Sequence, residues 1–518
     1  MADEDIPVVS LTEYMFSWFD KYADDIAMVE LDTERSVTYK ELKCLIIKAS
    51  NGLQSIGVKE GDVVCMCSPN NIDYAVVFFA VTSLGAILQA TNPLYTKDEL
   101  VAQFEKCKTK YIVTVPSLVD KIKESINNNI KDIIVIGGGD KYENCKSLEK
   151  VISLDEGMDL KKATFNPKKT VACYVFSSGT TGLPKALQLS HYNIIANLVQ
   201  LRAMSTVDTK ESILVFLPFF HIYGLVAITA SALTYGAKLV VMSRFSPLPF
   251  MEAIQKHQIT FIHVVPPVMV LLTKLPETKN YDLTCVRVVA CGAAPLSRTI
   301  EEQVKDIFKV NYISQGYGMS ECIVTHADTE ENHKFGSVGQ AIKGIKTKII
   351  DTKTGEPLGA NQDGEVCIQG PQIMLGYLDQ PDATAAIIDS DGWLKTGDVG
   401  HIDEDGYLFI VDRIKELIKY KGFQVAPAEL EALLLKHPDI ADAGVIGVPD
   451  IESGEIPKAC VVLKKDAQLT AEEIQDFINK QVAPHKKLRG GVEFLDQIPK
   501  SASGKILRRM LRDSQVRP

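Results

Sequence analysis

Short apolar runs alternate with longer amphipathic segments in the N-terminal part of the chain. Residues 63–66 and 111–115 are apolar over a length that is typical of buried strands. Residues 38–56 and 97–107 repeat their apolar positions with the period of an α-helix, which predicts amphipathic helices. Strands that alternate with helices are typical of βαβ units, so we expect largely parallel sheets with helices on both faces.

The pattern changes between residues 336 and 407. Short apolar runs at 347–350, 364–368 and 407–410 are separated by Gly, Asp, Asn and Pro. Those residue types favour tight turns, so this part of the chain is predicted to form a small antiparallel β subdomain.

A compact α+β unit is predicted after residue 413. Thr470 begins a helix there, because Glu473 lies three residues further on and completes a capping box. The other elements predicted in this unit are a helix at 428–435 and strands at 444–448 and 459–463. The unit has a normal domain size of about 100 residues. We therefore divide the chain into an N-terminal domain, residues 1–412, and a C-terminal domain, residues 413–518.

A long apolar segment at residues 213–233 raises the question of a membrane span. It contains no Asp, Glu, Lys or Arg and is about long enough to cross a bilayer. Pro218, His221 and Gly224 interrupt it, however, and no positively charged flank is evident. We therefore predict a core strand, a turn and a buried helix, and no transmembrane segment.

Length, charge and cysteine usage exclude several classes of protein. A chain of 518 residues is too long for a single core and indicates two or more domains. The formal net charge of −10 argues against a nucleic-acid-binding protein. The 11 cysteines are scattered and form no CxxC pair, so we expect free thiols in a reducing compartment rather than a zinc site.

The two ends of the chain carry no targeting pattern. The start, residues 1–5, is acidic and lacks the features of a signal or transit peptide. The end, residues 516–518, is not a peroxisomal address of the Ser-Lys-Leu type. We expect a cytoplasmic, monomeric protein whose partners are small molecules.

A loop rich in Gly, Ser and Thr at residues 177–185 is the strongest chemical signal in the chain. It follows a predicted strand, residues 171–176, and precedes a predicted helix for which Ser190 is the N-cap. Small residues let the backbone approach a phosphate, and hydroxyls, helix-start N–H groups and Lys185 would bind it. The spacing differs from that of a P-loop. A flexible surface loop is the alternative interpretation.

Further segments accompany the loop sequence SSGTTGLPK in the order found in one family. They are residues 292–295 (GAAP), 315–321 (QGYGMSE), 392–398 (GWLKTGD), 412–431 and 499–505 (PKSASGK). Together they resemble the adenylate-forming superfamily of acyl-CoA synthetases, luciferases and peptide-synthetase adenylation domains, most closely the 4-coumarate–CoA ligases and their animal relatives. The resemblance implies an α/β fold, in which a large N-terminal domain of stacked mixed sheets and helices carries the antiparallel subdomain, and the C-terminal domain is mobile.

The resemblance also implies an acid–thiol ligase that uses ATP, Mg²⁺ and coenzyme A. Such an enzyme converts a carboxylic acid, ATP and CoA into acyl-CoA, AMP and pyrophosphate. Glu321 is expected to bind Mg²⁺, because that ion prefers hard oxygen ligands. The residues expected to bind the nucleotide are Ser177, Ser178, Gly179, Thr180, Thr181, Lys185, Ala293, Gln315, Gly316, Tyr317, Ser320, Asp398 and Arg413.

Lys505 is the main catalytic candidate that the resemblance implies. Its ammonium group would bridge the substrate carboxylate and the α-phosphate of ATP. His221 is expected to position the carboxylate, although a histidine in an apolar segment is also typical of a hydrogen-bonded core residue. The residues expected to line the acyl pocket are His221, Tyr223, Ala227, Ala290, Ala293 and Gly316.

A second face of the C-terminal domain is expected to serve thioester formation. The resemblance places a hinge at Lys415 and the catalytic Lys419 on the second face. The residues expected to contact CoA are Lys421, Gly422, Gln424 and Arg244. A solvated basic surface is the alternative interpretation of these positions.

Two other functions remain open. Residues 486–491 resemble beetle luciferases, which would indicate an adenylating oxygenase, whereas residues 220–223 (FHIY) are ligase-like. A catalytically silent adenylate-binding protein is the second alternative. The sequence does not determine which acid is the substrate. Residues 322–325 differ from the short Gly/Pro-containing sequence that plant phenylpropanoid ligases have at this place. Fatty acids are therefore equally consistent with the sequence.

Overall fold

The computed structural model describes residues 6–126, 128–157, 159–160, 164–177, 184–204, 209, 211–294, 296, 298–421, 423–501 and 504–514. The strands, in chain order, are β1 Ile26–Glu30, β2 Ser36–Thr38, β3 Val63–Cys67, β4 Ile87–Thr91, β5 Tyr111–Thr114, β6 Asp132–Val135, β7 Cys145–Ser147, β8 Val171–Ser177, β9 Lys185–Ser190, β10 Ser212–Val215, β11 Lys238–Val241, β12 Phe261–Val264, β13 Val288–Cys291, β14 Ser314–Met319, β15 Ile323–Ala327, β16 Gln340–Ala341, β17 Lys346–Ile350, β18 Gly364–Gln369, β19 Gly376–Tyr377, β20 Leu394–Ile402, β21 Leu408–Arg413, β22 Ile418–Tyr420, β23 Phe423–Val425, β24 Ile440–Asp450, β25 Gly454–Leu463 and β26 Val492–Phe494.

The α-helices, in chain order, are α1 Leu11–Phe19, α2 Tyr39–Ser55, α3 Ile72–Ser83, α4 Lys97–Cys107, α5 Val119–Ser125, α6 Leu148–Ser153, α7 His191–Met204, α8 Ser231–Tyr235, α9 Pro247–His257, α10 Pro266–Lys274, α11 Arg298–Phe308, α12 Pro381–Ala385, α13 Pro427–Leu434, α14 Ala471–Asn479 and α15 Arg508–Asp513. The helices predicted at 38–56 and 97–107 and the strands predicted at 63–66 and 111–115 are confirmed as α2, α4, β3 and β5.

Two large mixed sheets are stacked in the N-terminal part of the chain. Sheet A has the order β16-β15-β14-β13-β12-β10-β11-β1-β2, and β13, β12, β10 and β11 run parallel at its centre. Sheet B has the order β19-β9-β8-β4-β3-β5-β6-β7 and is parallel from β8 to β7. Helix α3 contacts β1 of sheet A as well as β3 and β4 of sheet B. Every residue of α3 is buried, as expected for a helix that is apolar all round.

Two smaller sheets complete the fold. Sheet C, with the order β17-β18-β20-β21, is antiparallel throughout, which confirms the subdomain predicted from the turn residues. Sheet D contains β23, β22, β25 and β24, with β26 paired to β25, and belongs to the C-terminal part. Helix α14 starts with the predicted capping box of Thr470 and Glu473.

The apolar segment at residues 213–233 forms β10, a turn, a π-helical stretch Tyr223–Ala230 and α8. This arrangement confirms the predicted strand, turn and buried helix. Among the residues that the structure describes, no helix combines the length and the apolar character needed to cross a bilayer.

The C-terminal part of the chain is anchored on α10. The Lys274 ammonium group donates hydrogen bonds to the carbonyl oxygens of Ile440 (3.1 Å) and Ala441 (2.5 Å), at the start of β24. A Cβ atom added at Gly504 would lie only 3.0 Å from Pro267, so the loop before α15 also packs closely on α10. Within sheet C, β21 pairs with β20 as far as Arg413. The domain boundary that we place between residues 412 and 413 stays a prediction.

A buried ion pair connects α15 to α13 and β24. Arg508 Nη2 donates to both carboxylate oxygens of Glu431, at 2.9 and 2.8 Å, and Glu431 Oε1 also accepts a hydrogen bond from the Val445 N–H group. The Glu431 side chain is 10% exposed and that of Arg508 13%. Removing one partner of such a pair leaves a buried charge without compensation.

We expect Arg508→Met to destabilise the C-terminal part by about 3 kcal/mol, because Glu431 stays buried without its cation. The matched control is Arg509→Met, since the side chain of Arg509 is 66% exposed and faces Asp513 on the surface. The measurement is the free energy of unfolding in urea. Equal stability of the two variants would contradict this role of the ion pair.

Candidate active site

A cavity of about 900 Å³ lies at the carboxyl ends of β13 and β14, where it meets the loop that carries Lys505. Ligand sites of open α/β sheets typically lie outside the carboxyl ends of the strands. The structure therefore brings together residues from distant parts of the chain. The predicted acyl-pocket residues that line this cavity are His221, Tyr223, Ala227, Ala290, Ala293 and Gly316.

His221 lies at the start of the π-helical stretch, and its Nδ1 accepts a hydrogen bond from the Tyr223 N–H group at 3.2 Å. Burial, and then the nearby Lys505, lower the pKa of His221 to about 4, so the ring is neutral near pH 7. Because Nδ1 accepts, the proton of the neutral ring is on Nε2. His221 can therefore donate to a carboxylate oxygen in the cavity.

His263 is a cavity residue that the sequence analysis missed. It lies on β12 and its Nδ1 is 3.3 Å from the hydroxyl oxygen of Tyr223. Burial lowers the pKa of His263 to about 3, which keeps the ring neutral. The only signal in the sequence was a polar residue within an apolar strand, which is also typical of a core histidine.

The predicted adenine wall is β14, which contains Gln315, Gly316 and Tyr317 and borders the cavity. Gly318 is required by sterics, because a Cβ atom there would lie 1.8 Å from the carbonyl oxygen of Ile323 on β15. The two strands can thus turn tightly after Met319 and hold the wall in place. Ser320 and Ala293 also line the cavity, and Ala293 has a left-handed backbone with φ of 73°.

Buried acidic groups support this wall from behind. Asp328 accepts a hydrogen bond from the Gln315 N–H group (2.7 Å), and its other oxygen lies 2.7 Å from Nδ1 of His333. His333 Nε2 is 3.7 Å from the buried carboxylate of Glu301. Burial raises the pKa of both acids above their usual values. The sequence contained no spacing that predicted this cluster, because its members lie on separate elements.

Asp398 and Arg413 face each other across β20 and β21. Arg413 Nε lies 3.2 Å from Asp398 Oδ1, and the Tyr317 hydroxyl donates to Asp398 Oδ2 at 2.6 Å. Asp398 is only 5% exposed, yet a carboxylate offers about four lone-pair sites, so it can still accept hydrogen bonds from a ribose. The structure thus joins the predicted adenine wall to the predicted ribose ligand.

Glu321 is buried and its Oε1 accepts a hydrogen bond from the hydroxyl of Tyr377 at 2.8 Å. The Lys185 ammonium group lies 4.7 Å from the centre of the Tyr377 ring, and Ser177 pairs with Lys185 across β8 and β9. The predicted metal ligand therefore lies beside the predicted phosphate loop. Tyr377 was missed by the sequence analysis, because it lies between the motifs.

One expectation for the phosphate loop is wrong. The helix-start donors were expected at the loop, but β9 intervenes and pairs antiparallel with β8, so the N-terminus of α7 is one strand length away from it. The predicted phosphate ligands Ser178, Gly179, Thr180 and Thr181 lie outside the described residues.

Lys505 reaches the cavity from the C-terminal part of the chain. Its loop is closed by a hydrogen bond from the Ser501 N–H group to the Lys505 carbonyl oxygen (2.8 Å) and by one from the Lys505 N–H group to Ser501 Oγ (3.1 Å), and Gly504 has φ of 81°. Burial lowers the pKa of Lys505, as does the positive charge of Arg413, whereas the carboxylates of Asp398 and Glu321 oppose the shift. Two of the three predicted catalytic residues, Lys505 and His221, therefore share one cavity.

The residues predicted for the thioester step lie elsewhere. Lys419 and Gln424 are exposed on β22 and β23, and Lys421 follows with a left-handed φ of 46°. Lys415 is exposed in the turn after β21, and Arg244 is exposed after β11. None of these side chains lines the cavity in the described part of the chain. Gly422 lies outside the described residues.

The donor set suits Mg²⁺ bound together with a phosphate group. No cluster of three or more His, Cys, Asp or Glu residues that could hold a metal occurs in the described ranges. Mg²⁺ usually takes one or two carboxylates and completes its shell with water and phosphate oxygens. The single buried carboxylate of Glu321 beside the phosphate loop agrees with this pattern.

Solved structures with this fold include CoA ligases. ATP-bound MatB from Rhodopseudomonas palustris superposes with a TM-score of 0.88 at 25% sequence identity, over 98% of this chain and 99% of that chain. The anthranilate CoA ligase AuaEII in complex with anthranoyl-AMP has a TM-score of 0.91 at 24% identity, over 99% of both chains, and shows the likeness of the fold.

Comparison with characterised sequences covers nearly the whole chain. The 4-coumarate–CoA ligase 4 of Arabidopsis thaliana is 39% identical over 97% of this chain and 91% of its own length. The 4-coumarate–CoA ligase of Pinus taeda is 40% identical over 97% of this chain and 94% of its own length. The family model of the AMP-binding enzymes matches residues 15–378, and that of their C-terminal domain matches residues 429–505. The chain therefore belongs to the AMP-binding enzyme family.

Proposed function

We propose that the protein is an ATP-dependent acid–thiol ligase that adenylates a carboxylic acid and transfers the acyl group to coenzyme A. The observation that carries this proposal is the half-buried side chain of Lys505, which lines one cavity together with His221, Tyr317 and Ala293. The relatives at about 40% identity are 4-coumarate–CoA ligases, which supports the same reaction class.

The first half-reaction gives the acid a leaving group. A carboxylate oxygen attacks the α-phosphorus of ATP, the bond to the β-phosphate oxygen breaks, and pyrophosphate leaves as the acyl-adenylate forms. Both reacting groups are anions, so their approach is opposed by repulsion. Lys505 would contact the carboxylate and the α-phosphate together and offset that charge in a cavity with little water. His221 would hold the carboxylate through the proton on Nε2.

The nucleotide would be held along the wall formed by β14. Tyr317 offers a flat surface for the adenine ring, and Asp398 would accept hydrogen bonds from the ribose. Lys185 and Ser177 lie where the β- and γ-phosphates are expected. Glu321 would hold Mg²⁺, which neutralises charge on the phosphate oxygens.

The second half-reaction needs a different face of the C-terminal part. The CoA thiolate attacks the acyl carbonyl and AMP leaves. We propose that Lys419 and Gln424 serve this step, with Lys421, Gly422 and Arg244 as contacts for CoA. The side chains of Lys419, Lys421, Gln424 and Arg244 do not line the cavity that Lys505 reaches. The C-terminal part would therefore rotate about Lys415. The rotation would break the hydrogen bonds of Lys274 to Ile440 and Ala441.

Other functions have less support. The luciferase alternative is not favoured, because the relatives reported above are CoA ligases. A silent adenylate-binding protein would not need Lys505 in the cavity. The 11 cysteines are free, as expected of a reducing compartment, which supports a cytoplasmic location.

We predict that Lys505→Ala separates the two half-reactions. Acyl-AMP formation should fall by about a hundredfold or more, because a charge that stabilises the transition state is lost. Formation of acyl-CoA from supplied acyl-AMP should persist. Lys419→Ala is the matched variant and should show the opposite selectivity. Both rates are measured in single turnovers, and equal losses in the two half-reactions would refute the assignment of the two faces.

We predict that the rate of adenylation falls at high pH because Lys505 loses its proton. Its pKa is lowered by burial and by Arg413, and the charged ammonium group is the active form, so activity is lost as the pH rises through that lowered pKa. Lys505→Arg should move this loss of activity to higher pH, since a guanidinium group stays protonated. The measurement is the pH profile of acyl-AMP formation. If the wild-type protein and the Lys505→Arg variant lose activity at the same pH, the loss is caused by the titration of another group.

We predict that Glu321→Gln weakens the effect of Mg²⁺ on ATP binding by about tenfold to a hundredfold, because a charged ligand is lost. The measurement is the Kd of ATP by calorimetry with and without Mg²⁺. Tyr377→Phe is the matched control, because it keeps the carboxylate and removes only the hydrogen bond to it. An unchanged Mg²⁺ effect in Glu321→Gln would exclude Glu321 as the ligand.

A further inference from the structure

The cavity continues beyond His221 as a channel along sheet A. On β12, Phe261 and His263 are partly accessible, whereas Ile262 and Val264 are buried on the opposite face. β13 has the same alternation, so Val288 and Ala290 lie beside Phe261 and His263 in the strand register. All four accessible side chains line the cavity. The exposed surface of these four side chains therefore faces the channel, and the four side chains form its floor.

Apolar side chains from the helices form the roof of this channel. Ala227 and Ile228 come from the π-helical stretch and Ala232 from α8, while Leu201 and Met204 come from the last turn of α7. Ser231 and Tyr235 of α8 also line the cavity and are uncharged. The alanines leave the space that a larger side chain would fill. The channel walls thus suit a hydrocarbon and offer it few hydrogen bonds.

The far end of the channel lies at the amino ends of the same strands, where the lining becomes polar. Arg287 forms an ion pair with the buried Glu211, and its side chain is 62% exposed. Thr284, Lys309 and Asn311 line the cavity there and are also exposed. The channel therefore reaches solvent at an opening opposite the Lys505 end. A chain longer than the channel would emerge into water rather than meet a wall.

The length of the channel indicates what would fill it. The extended backbone from Val288 to Gly292 spans about 13 Å. A saturated chain with bonds of ~1.5 Å advances about 1.3 Å per carbon, so about ten carbons span the stretch from Gly292, which lies beside Tyr223, to Val288. An arylpropenoic acid would leave the section beside Leu201 and Met204 empty and lose its contacts there.

We propose that the acid is a straight-chain aliphatic carboxylic acid whose tail lies along β12 and β13 and whose longer members extend through the opening at Glu211 and Arg287. This inference rests on the proposed acid–CoA ligation and names its substrate class. Acids that are too short to fill the channel should therefore react less efficiently. Acids that are longer than the channel should lose little efficiency, because their tails emerge into water.

The test is a series of saturated acids from butanoate to hexadecanoate, with 4-coumarate beside them, assayed by AMP release in the presence of CoA. We expect kcat/KM to rise by about fourfold for each added CH₂ group. The rise should end near decanoate and be followed by a plateau. A steep fall between decanoate and hexadecanoate, or a preference for 4-coumarate over decanoate, would overturn the channel. AMP release with none of the acids would overturn the proposed function itself.

Variants that narrow the channel make the test specific. Val288→Phe on the floor and Ala232→Leu on the roof should each lower the ratio of kcat/KM for dodecanoate to that for butanoate by about tenfold or more, because the added volume meets the tail. Val289→Leu is the matched control, since Val289 is fully buried on the opposite face of β13. An unchanged ratio in both folded channel variants, or an equal fall in the control, would overturn the proposal.

Discussion

The charges buried around Lys505 are the constraint on which the rest of the site depends. Burying an ion away from water is costly unless it is paired or hydrogen-bonded. Tyr317 and Tyr377 donate neutral hydrogen bonds to the carboxylates of Asp398 and Glu321, and Arg413 also pairs with Asp398. The lowered pKa of Lys505 shows that its positive charge is incompletely compensated. A site of this kind favours ligands that bring negative charge, which are a carboxylate and a polyphosphate in the proposed reaction.

Parallel pairing in sheet A explains why such distant motifs meet. Successive parallel strands end at the same edge, so the residues after β13 and those within β14 line one cavity. The same geometry separates two environments along these strands. Their carboxyl ends meet Lys505 and the charged groups, whereas their central residues face an apolar channel. One sheet thus presents a polar reaction centre and an extended apolar tail site in series.

In the proposed reaction, the C-terminal part would contribute one of its two candidate faces at a time. Lys505 lines the cavity, while Lys419 and Gln424 are exposed on β22 and β23. The contacts that hold this orientation include the hydrogen bonds of Lys274 to two carbonyl groups and the close packing of Gly504 on Pro267. The proposed exchange of faces would break these contacts.

Local patterns in the sequence determined several elements and the family. The capping box at Thr470 and the apolar periods of α2 and α4 act within a few residues, so they could be identified without the fold. The ordered motifs also identified Lys505, Asp398 and Glu321. Only the tertiary structure decided that β9 separates the phosphate loop from α7, that Tyr377 and His263 join the site, and that a channel opens beside Val288. These features arise from pairing and packing between segments far apart in the chain, which no local pattern encodes.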